Sequence, residues 1–139
     1  MFWKKKIDHT NPGQVIIPVG HPNSPKSHEV NSAFFLARHY KTTVEFILPV
    51  DDYMRKSADI VMLGVEWEIK CPIGKSKSTI RNQFRRASKQ SKNIIIDLRK
   101  TKLKAKDIEK SIAFELKERP YIQKLILIYK SEKIVEMLM

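Results

Sequence analysis

Cysteine is nearly absent from this chain. Cys71 stands alone among 139 residues, which excludes an intramolecular disulfide and a cysteine-based zinc cluster. No apolar run approaches the roughly 18 residues of a membrane span. The opening Met1-Phe2-Trp3-Lys4-Lys5-Lys6-Ile7-Asp8 has no apolar stretch behind its charges, so no signal peptide is expected. Glycine is scarce, with four residues, and Gly13 and Gly20 form no phosphate loop. There is no internal repeat, low-complexity tract or interdomain linker. One domain over residues 1–139, with an irregular segment at 1–26 and a cytoplasmic setting, is the expectation.

Acid is missing from one stretch in particular. From Lys70 to Lys104 the chain carries Lys70, Lys75, Lys77, Arg81, Arg85, Arg86, Lys89, Lys92, Arg99, Lys100, Lys102 and Lys104 against Asp97 alone. That block holds nearly all of the formal net charge of +12. It begins at the last residue of a segment rich in carboxylates, so a polyanion drawn to it arrives beside them. A solvated basic surface, or one resting on anionic lipid, is the plainer alternative. Lys75, Lys77, Arg81, Arg85, Arg86, Lys89 and Gln90 are the candidate nucleic-acid contacts.

Periodicity predicts a mixed α/β fold. Gln14 to Val19 reads as a short edge strand. Ser27 reads as the cap of a helix from His28 to Tyr40, with Val30, Ala33, Phe34 and Ala37 facing the core. Thr43 to Leu48 is a strand and Pro49 to Ser57 a loop. After a hairpin, Ser78 caps a helix to Ser91 on the stripe Ile80, Phe84, Ala87. Asn93 to Leu98 is a buried strand. Asp107 to Lys117 is a helix through Ile108, Ile112 and Leu116. Leu125 to Tyr129 and Ile134 to Met137 are two further strands. The fold class is therefore α+β, a mixed central sheet flanked by helices.

The hairpin carries the chemistry. In Ser57-Ala58-Asp59-Ile60-Val61-Met62-Leu63-Gly64-Val65-Glu66-Trp67-Glu68-Ile69-Lys70, a turn at Leu63-Gly64 sets Met62 opposite Val65, Val61 opposite Glu66, Ile60 opposite Trp67 and Asp59 opposite Glu68. A longer loop from Met62 to Val65 is easier than a Leu-Gly turn and keeps the same pairing. Alternation then puts Asp59, Glu66, Glu68 and Lys70 on one polar, solvated face and Ile60, Met62, Val65, Trp67 and Ile69 on the core face. Directly opposed residues have Cβ atoms roughly 4.5–5.5 Å apart, close enough for Asp59 and Glu68 to share one divalent ion, Mg²⁺ or Mn²⁺. Lys70 is placed to orient a water or to meet phosphoryl charge. Glu29 on the first helix, or Glu45 on the first strand, is placed to complete the site. His28 is a candidate acid beside Glu29. A salt-bridged, solvated sheet face is the non-catalytic alternative. Cys71 reads as a packed apolar residue, and Asp97 and Arg99 as a simple pair.

A helix, a strand, a strand led by Asp59, a strand with Glu68-Ile69-Lys70, a helix and a strand resemble the restriction-endonuclease-like core of the PD-(D/E)xK nuclease superfamily. The resemblance runs from Ser27 to Leu98, with Ala58 where that family carries proline. Ala58-Asp59-Ile60, Gly64, Trp67-Glu68-Ile69-Lys70-Cys71-Pro72-Ile73-Gly74, Thr79-Ile80 and the run from Ala87 to Arg99 look like the C-terminal toxin domains of CdiA-type contact-dependent growth inhibition proteins. This second resemblance spans His28 to about Lys130. It implies an endonuclease, with RNA and tRNA favoured over DNA, and a small acidic immunity protein as a partner. The first resemblance implies metal-dependent hydrolysis. Some tRNase toxins resemble the barnase/RelE group instead, which implies metal-free cleavage with Asp59, Trp67 and Lys70 shaping the site. A non-catalytic nucleic-acid-binding protein and a structure-specific DNA endonuclease are further alternatives.

Overall fold

The computed structural model describes residues 11–20, 25–48, 58–76 and 78–138. The loop expected over Pro49–Ser57 lies outside them, as does the candidate contact Lys77. Ten elements follow in order: β1 (Gln14–Ile16), α1 (Ser27–Tyr40), β2 (Thr43–Phe46), β3 (Ile60–Met62), β4 (Val65–Lys70), α2 (Ser78–Ala87), β5 (Asn93–Asp97), α3 (Ala105–Glu118), β6 (Lys124–Ile128) and β7 (Ile134–Leu138). The seven strands form one sheet in sequence order. β2, β3 and β4 are antiparallel. β4, β5 and β6 are parallel, and β7 closes antiparallel to β6. The expected class, a mixed sheet flanked by helices, is the observed one. Among the described residues no helix is long and apolar enough to cross a membrane.

Parallel strands in mid-sheet need cover on both faces, and this sheet has it. On one face α1 packs Ala33, Leu36, Ala37 and Tyr40 against Val44, Phe46, Ile60, Met62, Trp67, Ile69, Ile95, Ile126 and Ile128. On the other, α2 and α3 pack Ile80, Phe84, Ala87, Ile108 and Ile112 against Ile94, Ile96, Leu98, Leu125 and Leu127. Ile94, Ile95 and Ile96 thus divide between two cores by strand alternation.

Four local expectations need correction. Leu36 fills the core position on α1, and Phe34 is exposed; the helical phase sits two residues from the expected one at that turn. Ser27 and Ser78 lie inside their helices. Lys26 occupies the α1 cap position without a side-chain bond, and Ser76 Oγ accepts the Ser78 N–H at 3.3 Å. The second helix ends at Ala87, where the Gln90 and Ser91 N–H groups turn back to the Ala87 carbonyl, so Lys89 and Gln90 stand beyond it. The hairpin uses the tight two-residue turn, not the longer loop. Leu63 and Gly64 both take positive φ, 53° and 76°, as a type I′ turn requires. Leu63 packs against the α1-side core, which offsets the roughly 1–2 kcal/mol cost of a left-handed L-residue.

Trp67 anchors this hairpin. Its side chain is fully buried, and its Nε1–H donates to the Met62 carbonyl at 3.4 Å. Trp67→Ala is expected to cost about 3–5 kcal/mol, measured by urea unfolding. A variant as stable as the parent would show that the indole is not part of the core.

Candidate active site

The site is built where β3 begins and β4 ends. The pairs Ile60–Trp67, Val61–Glu66 and Met62–Val65 form as the alternation requires. The ladder stops there. Asp59 lies just outside β3 and is not a strand partner of Glu68. Its N–H donates to the Trp67 carbonyl at 2.9 Å, and its carbonyl accepts the Ile47 N–H at 2.9 Å. Its Oδ2 accepts the Ile69 N–H at 2.8 Å, so a side-chain oxygen stands in for a strand carbonyl. Three bonds to the backbone therefore hold Asp59 in place, and its carboxylate still reaches Glu68.

Glu68 differs most from expectation. The face it shares with Lys70 is not solvated, because β4 lies mid-sheet between the two helical layers. Glu68 is 1% exposed. Its Oε2 pairs with Lys70 Nζ at 3.2 Å, and its Oε1 is buried with no hydrogen-bond partner. Burial, followed by the Asp59 charge and hydrogen bond, pushes its carboxyl up to about 9. Lys70 pulls the other way and does not offset them. Without a cation Glu68 therefore holds its proton at neutral pH.

Glu29 projects from the first turn of α1. Burial, then the Asp59 charge, raises its carboxyl above the ordinary range, with Lys26 and Lys70 opposing. Glu45 is exposed in mid-β2 opposite Val61, and no interaction ties it to Asp59. Glu29 is thus the third acid that Asp59 feels. Among the described residues no three His, Cys, Asp or Glu side chains are grouped closely enough to hold a metal ion by themselves. The residues that could hold an ion are Asp59 and Glu68, and the orphaned Oε1 of Glu68 is a buried lone pair that an ion would satisfy. Glu66 lies at the far end of β4, exposed, with its carbonyl taken by Ser91 and Asn93.

A second polar cluster adjoins the first, and the sequence reveals only part of it. Asp97 and Arg99 do pair, at 2.7 Å. They are also tied to α1. Ser32 Oγ donates to Asp97 Oδ2 at 2.6 Å, and Arg99 Nη2 donates to Asn31 Oδ1 at 2.8 Å. Burial alone would raise the Asp97 carboxyl. The Arg99 and Ser32 hydrogen bonds outweigh it and hold the group below the usual carboxylate range. Cys71 contacts Ser32 Oγ at 3.4 Å, and burial pushes its thiol up to about 11, so it stays protonated. Burial, then Lys26 and Lys100, lowers the His28 imidazole while Asp59 opposes, so it is neutral at pH 7. The available signal for this cluster is Asp97 itself, the sole acid of the basic block, together with a serine on the buried side of α1.

Arg81, Arg85 and Arg86 project from the solvent side of α2, opposite its buried stripe Ile80, Phe84 and Ala87. Lys75 and Lys89 are exposed on either flank, and Gln90 is half-buried. If six cations of this surface meet phosphates, log K should fall against log salt with a slope of about −4 to −5. Charge reversal at Arg81, Arg85 and Lys89 together should weaken binding to all sequences alike. A flat salt response would remove this surface as the docking face.

With this geometry in view, comparisons place the chain. It shares its fold with a chain of the CdiA-CT/CdiI toxin and immunity complex from Burkholderia pseudomallei, with a TM-score of 0.64 and 20% sequence identity over 91% of this chain and 100% of that one. No curated protein matches it. A model of the contact-dependent growth inhibition CdiA C-terminal domain matches residues 56–134, the span that holds Asp59, Glu68, Lys70 and the basic block. With more than half of its residues inside that match, the chain belongs to the contact-dependent growth inhibition CdiA C-terminal domain family.

Proposed function

We propose that this chain is a toxin nuclease of the PD-(D/E)xK type that hydrolyses phosphodiester bonds in RNA, with tRNA favoured, and that a small acidic immunity protein neutralises it. The carrying observation is Glu68, a carboxyl buried against Asp59 with one oxygen unpartnered. A buried acid beside another acid is costly, and a cation-binding role accounts for it. Asp59 and Glu68 are the residues that would hold Mg²⁺ or Mn²⁺, which when bound neutralises phosphoryl charge and lowers the pKa of water. Asp59 is kept rigid for that task by the Ile69 N–H. Lys70, one-fifth exposed at its side chain, presents its ammonium to a phosphate oxygen or an attacking water. Glu29, whose carboxyl is raised by burial and by the Asp59 charge, is placed to pass a proton to the leaving oxygen. The basic surface of α2 draws the polyanion in.

The test is incubation of the purified chain with total RNA and with plasmid DNA in Mg²⁺, with Lys70→Ala as the control. RNA cleavage that Lys70→Ala abolishes is the expected result. Cleavage of DNA alone would favour a structure-specific DNA endonuclease. Tight binding without cleavage would favour a non-catalytic nucleic-acid-binding protein.

A further inference from the structure

A pocket of about 230 Å³ opens beside the carboxylate pair, lined by His28, Asn31, Cys71, Asp97, Arg99 and Lys100. Cys71 directly follows Lys70 in the chain, and His28 lies within electrostatic range of both Asp59 and Lys70. The pocket therefore lies within reach of a polymer seated on the carboxylates. The volume is below the about 300–1,000 Å³ of sites for drug-sized ligands, so it suits a single planar base and not a larger cofactor.

Its wall is preorganised. Arg99 donates from Nε to Asp97 Oδ1 at 2.9 Å and from Nη2 to Asp97 Oδ2 at 2.7 Å. Its guanidinium carbon sits 4.6 Å from the centre of the Phe35 ring. Asp97 is in turn anchored by buried Ser32. Because Asp97 neutralises Arg99 at contact distance, the guanidinium acts here as a directional donor more than as an anion clamp. Nη1 of Arg99 has no partner among the described residues. Asn31 spends its carbonyl oxygen on Arg99 and keeps its two amide N–H donors. The free groups of the wall are thus mostly donors, and they match a base edge that offers acceptors. Guanine offers O6 and N7 on one edge, and arginine is their commonest partner.

We propose that this pocket receives the base of the nucleotide beside the scissile phosphate, and that Asn31 and Arg99 select guanine there. The proposal rests on the nuclease reading, and its first test reads out without cleavage. The ¹⁵N-labelled full chain is titrated with GMP, AMP, CMP, UMP and inorganic phosphate, following the Asn31 side-chain amide and the Arg99 Nε–H by NMR. GMP should shift both signals and bind about tenfold more tightly than the other nucleotides. Asn31→Ala should lose about that factor while melting unchanged, since Asn31 is exposed. Equal affinity for all four nucleotides, or the same shifts from inorganic phosphate alone, would overturn the assignment. The second test sequences the ends cut from a randomised RNA pool. Guanine enrichment at one position beside the cut, lost in Asn31→Ala, supports the pocket. Cleavage without base preference overturns the pocket and leaves the nuclease reading standing. GMP binding at Asn31 and Arg99 in a chain that cuts nothing overturns the nuclease reading instead.

Discussion

Glu68→Gln is expected to melt higher than the parent at pH 8 and to lose cleavage by about 10²–10³-fold or more. Both effects have one cause. In the folded, cation-free chain the Glu68 carboxyl is pushed up to about 9 by burial and by Asp59, whereas in the unfolded chain it titrates near its ordinary 4.5. Between these values the folded state holds a proton that the unfolded state releases. Stability is therefore full below the unfolded value and is lost as pH rises toward the folded one, at about 1.4 kcal/mol per pH unit. By pH 7 the loss is on the order of 3 kcal/mol. A glutamine in place of Glu68 cannot ionise and keeps the same shape, so the variant escapes that loss. Melting curves of the two proteins should converge near pH 4 and diverge by pH 8. A variant that melts lower at pH 8, or that cuts RNA at the parental rate, would remove Glu68 from this role.

The hairpin register is legible in the sequence because its two faces differ in kind. Ile60, Met62, Val65, Trp67 and Ile69 can satisfy only one alternation, and a slip of one would turn them all outward. What alternation does not show is what covers the other face. Glu68 is buried because β4 lies mid-sheet, with α1 and α2 packed against it, and that is a tertiary fact. The same limit hides the Ser32–Asp97 bond, whose partners lie 65 residues apart. Local departures have local causes. Phe34 and Leu36 are both large and apolar on one helix, and tertiary packing chooses between them. Alternation sets Asp59 opposite Glu68 as a strand partner, whereas its side chain replaces a backbone carbonyl and ends the ladder one residue early. Composition locates the basic block, and the helix carrying Arg81, Arg85 and Arg86 does turn them outward.

Mg²⁺ or Mn²⁺ is expected to raise the melting temperature of the parent and not that of Asp59→Asn, and EDTA is expected to stop cleavage. A ligand at about 100 times its Kd contributes about 2.7 kcal/mol to the folded state. Asp59→Asn keeps an oxygen for the Ile69 N–H, so its fold should survive while its share of the negative charge is gone. Two mechanisms differ in what they leave behind. Hydrolysis by an activated water leaves a simple phosphate on one end. Attack by the ribose 2′-hydroxyl leaves a 2′,3′-cyclic phosphate and cannot act on DNA. The metal-free alternative gives Trp67 a part in shaping the site, yet its indole is fully buried under α1 and its N–H is spent on the Met62 carbonyl, as a packing role requires. A folded but inactive Trp67→Ala would count for that alternative. Undiminished RNA cleavage in EDTA, with cyclic-phosphate ends, would establish it, and the unpartnered oxygen of Glu68 would then need another explanation.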